Sequence, residues 1–163
     1  GASFAGLLLA VVGGTQMIAR YVCGVWADRV GKPGSLMFMG QGLVIASLVG
    51  MVGIISGGLP LGLLLVSATL FGCGFGFVST EAMLEMFMRV PRGQIGQAST
   101  VWNAAFDTGT GSGAILLGLV AAWQGYTAIF LVSALVVIVG VAAEIGDRRG
   151  RRQTLSRGGE SVF

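Results

Sequence analysis

Four ionisable side chains stand inside long apolar runs of this sequence: Arg20, Glu81, Glu85 and Asp107. A charge in nonpolar surroundings is costly, so each needs an opposite charge, a hydrogen-bonding group or trapped water, and each is by default a functional candidate. Arg20 lies eight residues before Asp28, and Glu81 eight before Arg89. At 1.5 Å per residue both sit about 12 Å inside the same end of their helices. They are placed to pair; alternatively Arg20 snorkels to the headgroups and Glu81 stays neutral. Glu85 stands one turn before Arg89 in the favourable acidic-first order. It is near enough to the Asp28–Lys32 turn to bridge to it, unless it is only a solvated helix end.

Asp107 is the deepest acid, about 18 Å along its helix. It shares a helical face with Ser99, Asn103 and Gly111, a stripe too polar for lipid. In a water-filled cavity Asp107 can load and release a proton and so couple solute movement to a gradient. In a packed interface it is a hydrogen-bonding group held by Asn103 or a nearby threonine. Gln16 is a second cavity candidate.

These side chains need a membrane-sized scaffold. The chain is 54% hydrophobic and only 10% charged over 163 residues, with a mean hydropathy of +0.85. That leaves too little polar surface to cover a soluble globule. Apolar spans run from Phe4 to Ala27, Ser35 to Ile55, Leu59 to Met88, Ile95 to Trp123 and Tyr126 to Ile145. Each is long enough to cross a bilayer, and the third and fourth are long enough to tilt or protrude. Their continuous rather than alternating apolarity predicts helices, not barrel strands. The fold expected is an all-α bundle of five transmembrane helices over residues 1–145, followed by a basic tail over 146–163. Breaks fall at Gly57-Gly58-Leu59-Pro60, Val90-Pro91-Arg92-Gly93 and Gln124-Gly125. The 29 glycines read as close helix packing, with Gly72/Gly76 and Gly109/Gly113 as the small-residue pairs.

Basic residues follow the first, third and fifth spans, whereas the connections after spans two and four carry no charge. This alternation puts the basic connections and the tail in the cytoplasm and the amino terminus outside. An odd number of helices, an external start and a first residue other than methionine lead to the expectation that one further helix precedes Gly1.

The turn after the first span, Gly24-Val-Trp-Ala-Asp-Arg-Val-Gly-Lys-Pro-Gly-Ser-Leu36, has a motif-grade pattern. Gly24 allows close helix approach, Asp28 can face the positive end of a helix, and Gly31 permits a tight reversal. The pattern Gly24, Asp28-Arg29, Gly31-Lys32 and Leu36 resembles the loop signature of the major facilitator superfamily of secondary transporters. It departs from that signature at Pro33, where a second basic residue is usual. The run Trp102-Asn-Ala-Ala-Phe-Asp-Thr-Gly-Thr-Gly-Ser-Gly113 resembles the penultimate helix of these transporters. The resemblance implies a partial major facilitator fold, helices eight to twelve of the carboxy-terminal half. It also implies a missing amino-terminal half as partner, and a small solute moved by alternating access. It assigns Asp28 to a latch against the start of a helix in the other half, supported by Arg29, Lys32 and Glu85.

With no histidine, no paired catalytic carboxylates and no nucleophile beside a base, hydrolytic or metal chemistry has no evident carrier, and no enzyme or cofactor is expected. Cys23 and Cys73 lie inside apolar spans without ligand spacing and read as small packing residues. The net charge of +3 does not suggest nucleic acid, because five of the ten basic residues crowd into Arg148–Arg157. They read as charges at the surface of a plasma (inner) membrane. Docking of this tail to anionic lipid or a partner, in a non-transporting fragment or assembly subunit, is the alternative reading.

Overall fold

Proline and glycine at the breaks and unbroken apolarity between them give five long helices. The structure, a computed structural model, describes residues 2–31, 34–60 and 62–159, with side chains described for 3–31, 34–60 and 62–150. Helix α1 spans Ala2–Val30, α2 Met37–Ile55, α3 Leu63–Met88, α4 Ile95–Gln124 and α5 Tyr126–Gly159. A single 3₁₀ turn at Arg92–Gln94 leads into α4. All five are long and apolar enough to cross a membrane, and no strand occurs among the described residues. Glycines in the left-handed region make two of the turns: Gly31 (φ +62°) ends α1, and Gly125 (φ +81°) separates α4 from α5.

The third helix is the hub. Helices α1 and α2 both pack on α3 and, although joined by a short loop, make no close backbone approach to each other among the described residues. Helix α2 also meets α5, while α4 meets α5 and α3. The reason lies in glycines on two sides of α3. A Cβ at Gly76 would stand 2.7 Å from both the Ala19 Cβ and the Gln16 carbonyl of α1. Gly72 lies against Thr15 and Val12 of the same helix. Two residues on from Gly72, about 200° around the helix, Gly74 faces α2, where a Cβ would stand 2.6 Å from the Gly40 carbonyl. Backbones approach there as small-residue seams allow. Ser47 of α2, fully buried, donates to the Ser67 carbonyl of α3 at 2.7 Å.

Two glycine expectations find no packing partner among the described helices. A Cβ at Gly24, Gly109 or Gly113 would meet no atom within 4 Å, so no described helix closes on them. These glycines lie off the faces that α1 and α4 turn to α3. The residues expected to form the basic tail are helical as well, since α5 continues to Gly159. Arg148 bonds back to Glu144 one turn earlier, Nε to Oε1, at 2.6 Å, which favours continuation of the helix.

Candidate functional site

Two groups of polar side chains occupy different levels of the bundle. The first is a clamp at the end where the α1–α2 loop, the carboxyl end of α3 and the last turns of α5 converge. Its centre is Glu81 of α3, which is fully buried. Its carboxylate accepts the backbone N–H of Leu36 at 3.0 Å and, through a short bond, that of Gly34. The buried Cys23 of α1 meets the same carboxyl group.

Arg148 of α5 closes the other side. Its guanidinium donates to the Gly34 carbonyl at 2.8 Å, lies 3.4 Å from Glu85, and stacks 4.7 Å from the centre of the Phe38 ring. Glu85 also pairs with Arg89 at 3.1 Å, and Arg89 with Asp147 at 3.2 Å. Gly34 is thus held through both backbone polar groups, with φ at +86°. A Cβ there would collide with Glu85 and Arg148. The outer ion pairs are about half exposed and each contributes roughly 0–1 kcal/mol. The two backbone hydrogen bonds to Glu81 matter more, because a buried donor left without an acceptor costs about 1–3 kcal/mol.

The expected Arg20–Glu81 pair is not formed. Glu81 is turned toward the loop, where backbone donors satisfy its charge without drawing a long arginine side chain across α3. Arg20 is exposed and has no side-chain partner among the described residues. Glu85 does reach the loop, through Arg148, which bonds both Glu85 and the Gly34 carbonyl. Asp28 and Arg29 are exposed, with no ion pair among the described residues, and Lys32 and Pro33 lie outside the described residues. Gly34, Glu144, Asp147 and Arg148 were not expected at this site. The acid-first spacing of Glu144 and Arg148 was a signal for a helical extension, but nothing local showed that it would reach the α1–α2 loop.

The second group lies deeper, on α1, α3 and α4. Asn103 and Asp107 of α4 are exposed, Ser99 is half-buried, and Gln16 of α1 is half-buried one turn from Arg20. Beside them runs a row of rings. Phe75 of α3 and Phe106 of α4 have centroids 6.0 Å apart, and Phe71 and Trp102 extend the row at 6.1 and 6.2 Å. By contrast, the cleft between α4 and α5, about 360 Å³, is lined by Leu116, Leu119, Val120, Trp123, Gln124 and Val132. With one polar residue and no charge it offers little to orient a solute.

The model of the Major Facilitator Superfamily matches residues 1–160. The chain belongs to this superfamily. It is 27% identical over 141 residues to an uncharacterized MFS-type transporter of Salmonella typhimurium, a match covering 84% of this chain and 34% of that protein. The chain therefore spans about a third of the length of the curated relative that it matches. No solved structure matches it. As a major facilitator chain with five membrane-length helices, it is an integral multi-pass membrane protein, and the family points to a transporter rather than an enzyme. In this superfamily member the signature loop is tied down from inside by Glu81 and from outside by Arg148, while its own Asp28 stays free of both.

Proposed function

We propose that this chain supplies helices eight to twelve, most of the carboxy-terminal half, of a secondary transporter that moves a small solute by alternating access. It would reside in the plasma (inner) membrane with the end of α5 in the cytoplasm. The observation that carries this reading is the exposed Asn103–Asp107 stripe on a membrane-length helix. Such a face cannot be left to lipid and suits a hydrated path between two helix bundles. The basic connections at alternate ends support the orientation.

Asp28 is the latch. It is exposed at the clamped end and without an ion pair in the described bundle, so its carboxylate is available to a helix amino terminus of the other half. The Glu81–Gly34–Arg148 clamp fixes the loop that follows it. Replacing Asp28 by Asn keeps the shape and removes the charge, weakening the latch by roughly 0.3–2 kcal/mol. In the full-length transporter the conformer ratio should shift toward inward-open by a factor of about 2 to 30, read by distance measurements across the cytoplasmic side. Unchanged distances together with wild-type transport would remove the latch. Saturable, gradient-driven uptake by the 163-residue chain alone would refute the reading of the chain as part of a larger transporter.

A further inference from the structure

Arg20 and Asp107 stand at one level of the bundle. Gly76 of α3 packs on Ala19 and lies beside the Arg20 backbone nitrogen. Its neighbour Phe75 packs on Phe106, the residue before Asp107. Adjacent residues on α3 differ in height by about 1.5 Å, so α3 ties both charged positions to the same depth.

The two positions also face the same way. Ala19 points at α3 and Arg20 follows it by about 100° around α1; Phe106 points at α3 and Asp107 follows it by about 100° around α4. Helices α1 and α4 run in opposite directions, so these two turns have opposite sense when viewed along the bundle. Both side chains are thereby brought to the side of α3 away from α2. Among the described residues α1 and α4 make no close backbone approach to each other and pack on α3 separately, so a groove between them on this side would have the Phe75 and Phe106 rings, in contact with each other, at its floor. Each charge has an amide one turn away, Gln16 for Arg20 and Asn103 for Asp107. Neither charge has a side-chain partner among the described residues.

We propose that this groove binds a zwitterionic solute: Arg20 takes its anionic group, Asp107 its ammonium, and Phe75 and Phe106 its apolar body. The proposal rests on the transport reading above and names the solute class for that path. The choice follows from charge balance. A cation alone would leave Arg20 unpaired at membrane depth, and an anion alone would leave Asp107 unpaired, each at considerable cost. A solute carrying both charges neutralises both, and it leaves the site without net transfer of charge to the protein. The ring floor favours a body of aromatic or large apolar type.

Three probes that share one body separate the charges: phenylalanine, phenylalaninamide and 3-phenylpropanoate. Binding is measured on the full-length transporter in proteoliposomes. Phenylalanine is expected to bind at least tenfold tighter than either singly charged probe. Arg20→Gln should weaken phenylalanine tenfold or more and leave phenylalaninamide unchanged, with Arg20→Lys restoring part of the loss. Asp107→Asn should weaken phenylalanine and phenylalaninamide tenfold or more and leave 3-phenylpropanoate unchanged. Equal loss of all probes in either variant, at unchanged melting temperature, would overturn the assignment of charges. Binding intact in Asp107→Asn with only gradient-driven accumulation lost would give Asp107 to proton loading and overturn its contact with solute. Transport of some other solute class with no binding of phenylalanine would overturn the zwitterion site and leave the transport reading standing. Absence of saturable transport across a broad solute panel would take the transport reading down, and this inference with it.

Discussion

Helices α3 and α4 are both glycine-rich, yet they use their glycines in opposite ways. On α3, Gly72, Gly74 and Gly76 each lie against the backbone of a neighbouring helix. On α4, a Cβ at Gly109, Gly111, Gly113 or Gly118 would meet nothing within 4 Å. The same residue type is a packing device in one helix and a smooth, unclaimed surface in the other. Burial follows the same division, since α3 buries Ser67, Ala68, Ser79, Thr80 and Glu81 along with its glycines, whereas α4 buries only Ala98. Small residues therefore do not reveal by themselves whether a helix is already packed or is presented to a partner. The polar side chains beside them are the better guide: on α3 Ser79 and Glu81 are satisfied internally, and on α4 Asn103 and Asp107 remain open.

The largest effect expected from this contrast is at Gly76. A valine there would push into Ala19 and the Gln16 carbonyl, where even one Cβ has no room. Overpacking of this kind costs about 1–3 kcal/mol or more when backbone blocks relaxation. Thermal unfolding in detergent should fall clearly below wild type. A Gly76→Val protein that melts like wild type would mean that α1 and α3 are not seamed as described.

Glu81→Ala comes next. It strips the acceptor from the Gly34 and Leu36 amides; only the Gly34 amide is buried, and the loss is about 1–3 kcal/mol in all. Its signature is local: faster hydrogen exchange at those two amides and faster thiol labelling of a cysteine placed at Ser35, in a background lacking Cys23 and Cys73. Glu81→Gln, which keeps one oxygen acceptor, should fall between. Exchange unchanged in the alanine variant would show that the loop is held by Arg148 alone.

Arg148→Ala removes a half-buried guanidinium with several partners, and the expected loss is about 1 kcal/mol or less, because the ion pairs around it are solvent-screened. Lysine at this position should recover the charge but not the simultaneous contacts to Gly34, Glu85 and Glu144. Equal melting temperatures for the lysine and wild-type proteins would reduce the clamp to simple charge.

The smallest change is expected at Gly111, where alanine has open space. Stability should stay within about 1 kcal/mol of wild type, with a slight gain from helix propensity. A large loss there would show that α4 is covered by something outside the described bundle.

Much of this was legible in sequence. Low charge, continuous apolar runs and the glycine-proline breaks determined five membrane-length helices, because a bilayer demands about 20 apolar residues and internally satisfied backbone whatever the packing. The spacing of Gly24, Asp28, Gly31 and Leu36 carried the family resemblance, since a short loop between two spans is a local object. The polar stripe through Asp107 was likewise visible from helical periodicity alone.

Tertiary structure decided everything that depends on which faces meet. It separated α1 from α2 by inserting α3 between them, a consequence of glycines on two sides of one helix that no local pattern orders. It turned Glu81 from Arg20 to the loop, because two convergent backbone N–H groups lay within reach once α3 and the loop were packed. It brought Arg148 to Gly34 across 114 residues of sequence. And it set Ala19 against Gly76 and Phe106 against Phe75, so that the positions of Arg20 and Asp107 follow from the separate packing of α1 and α4 on α3.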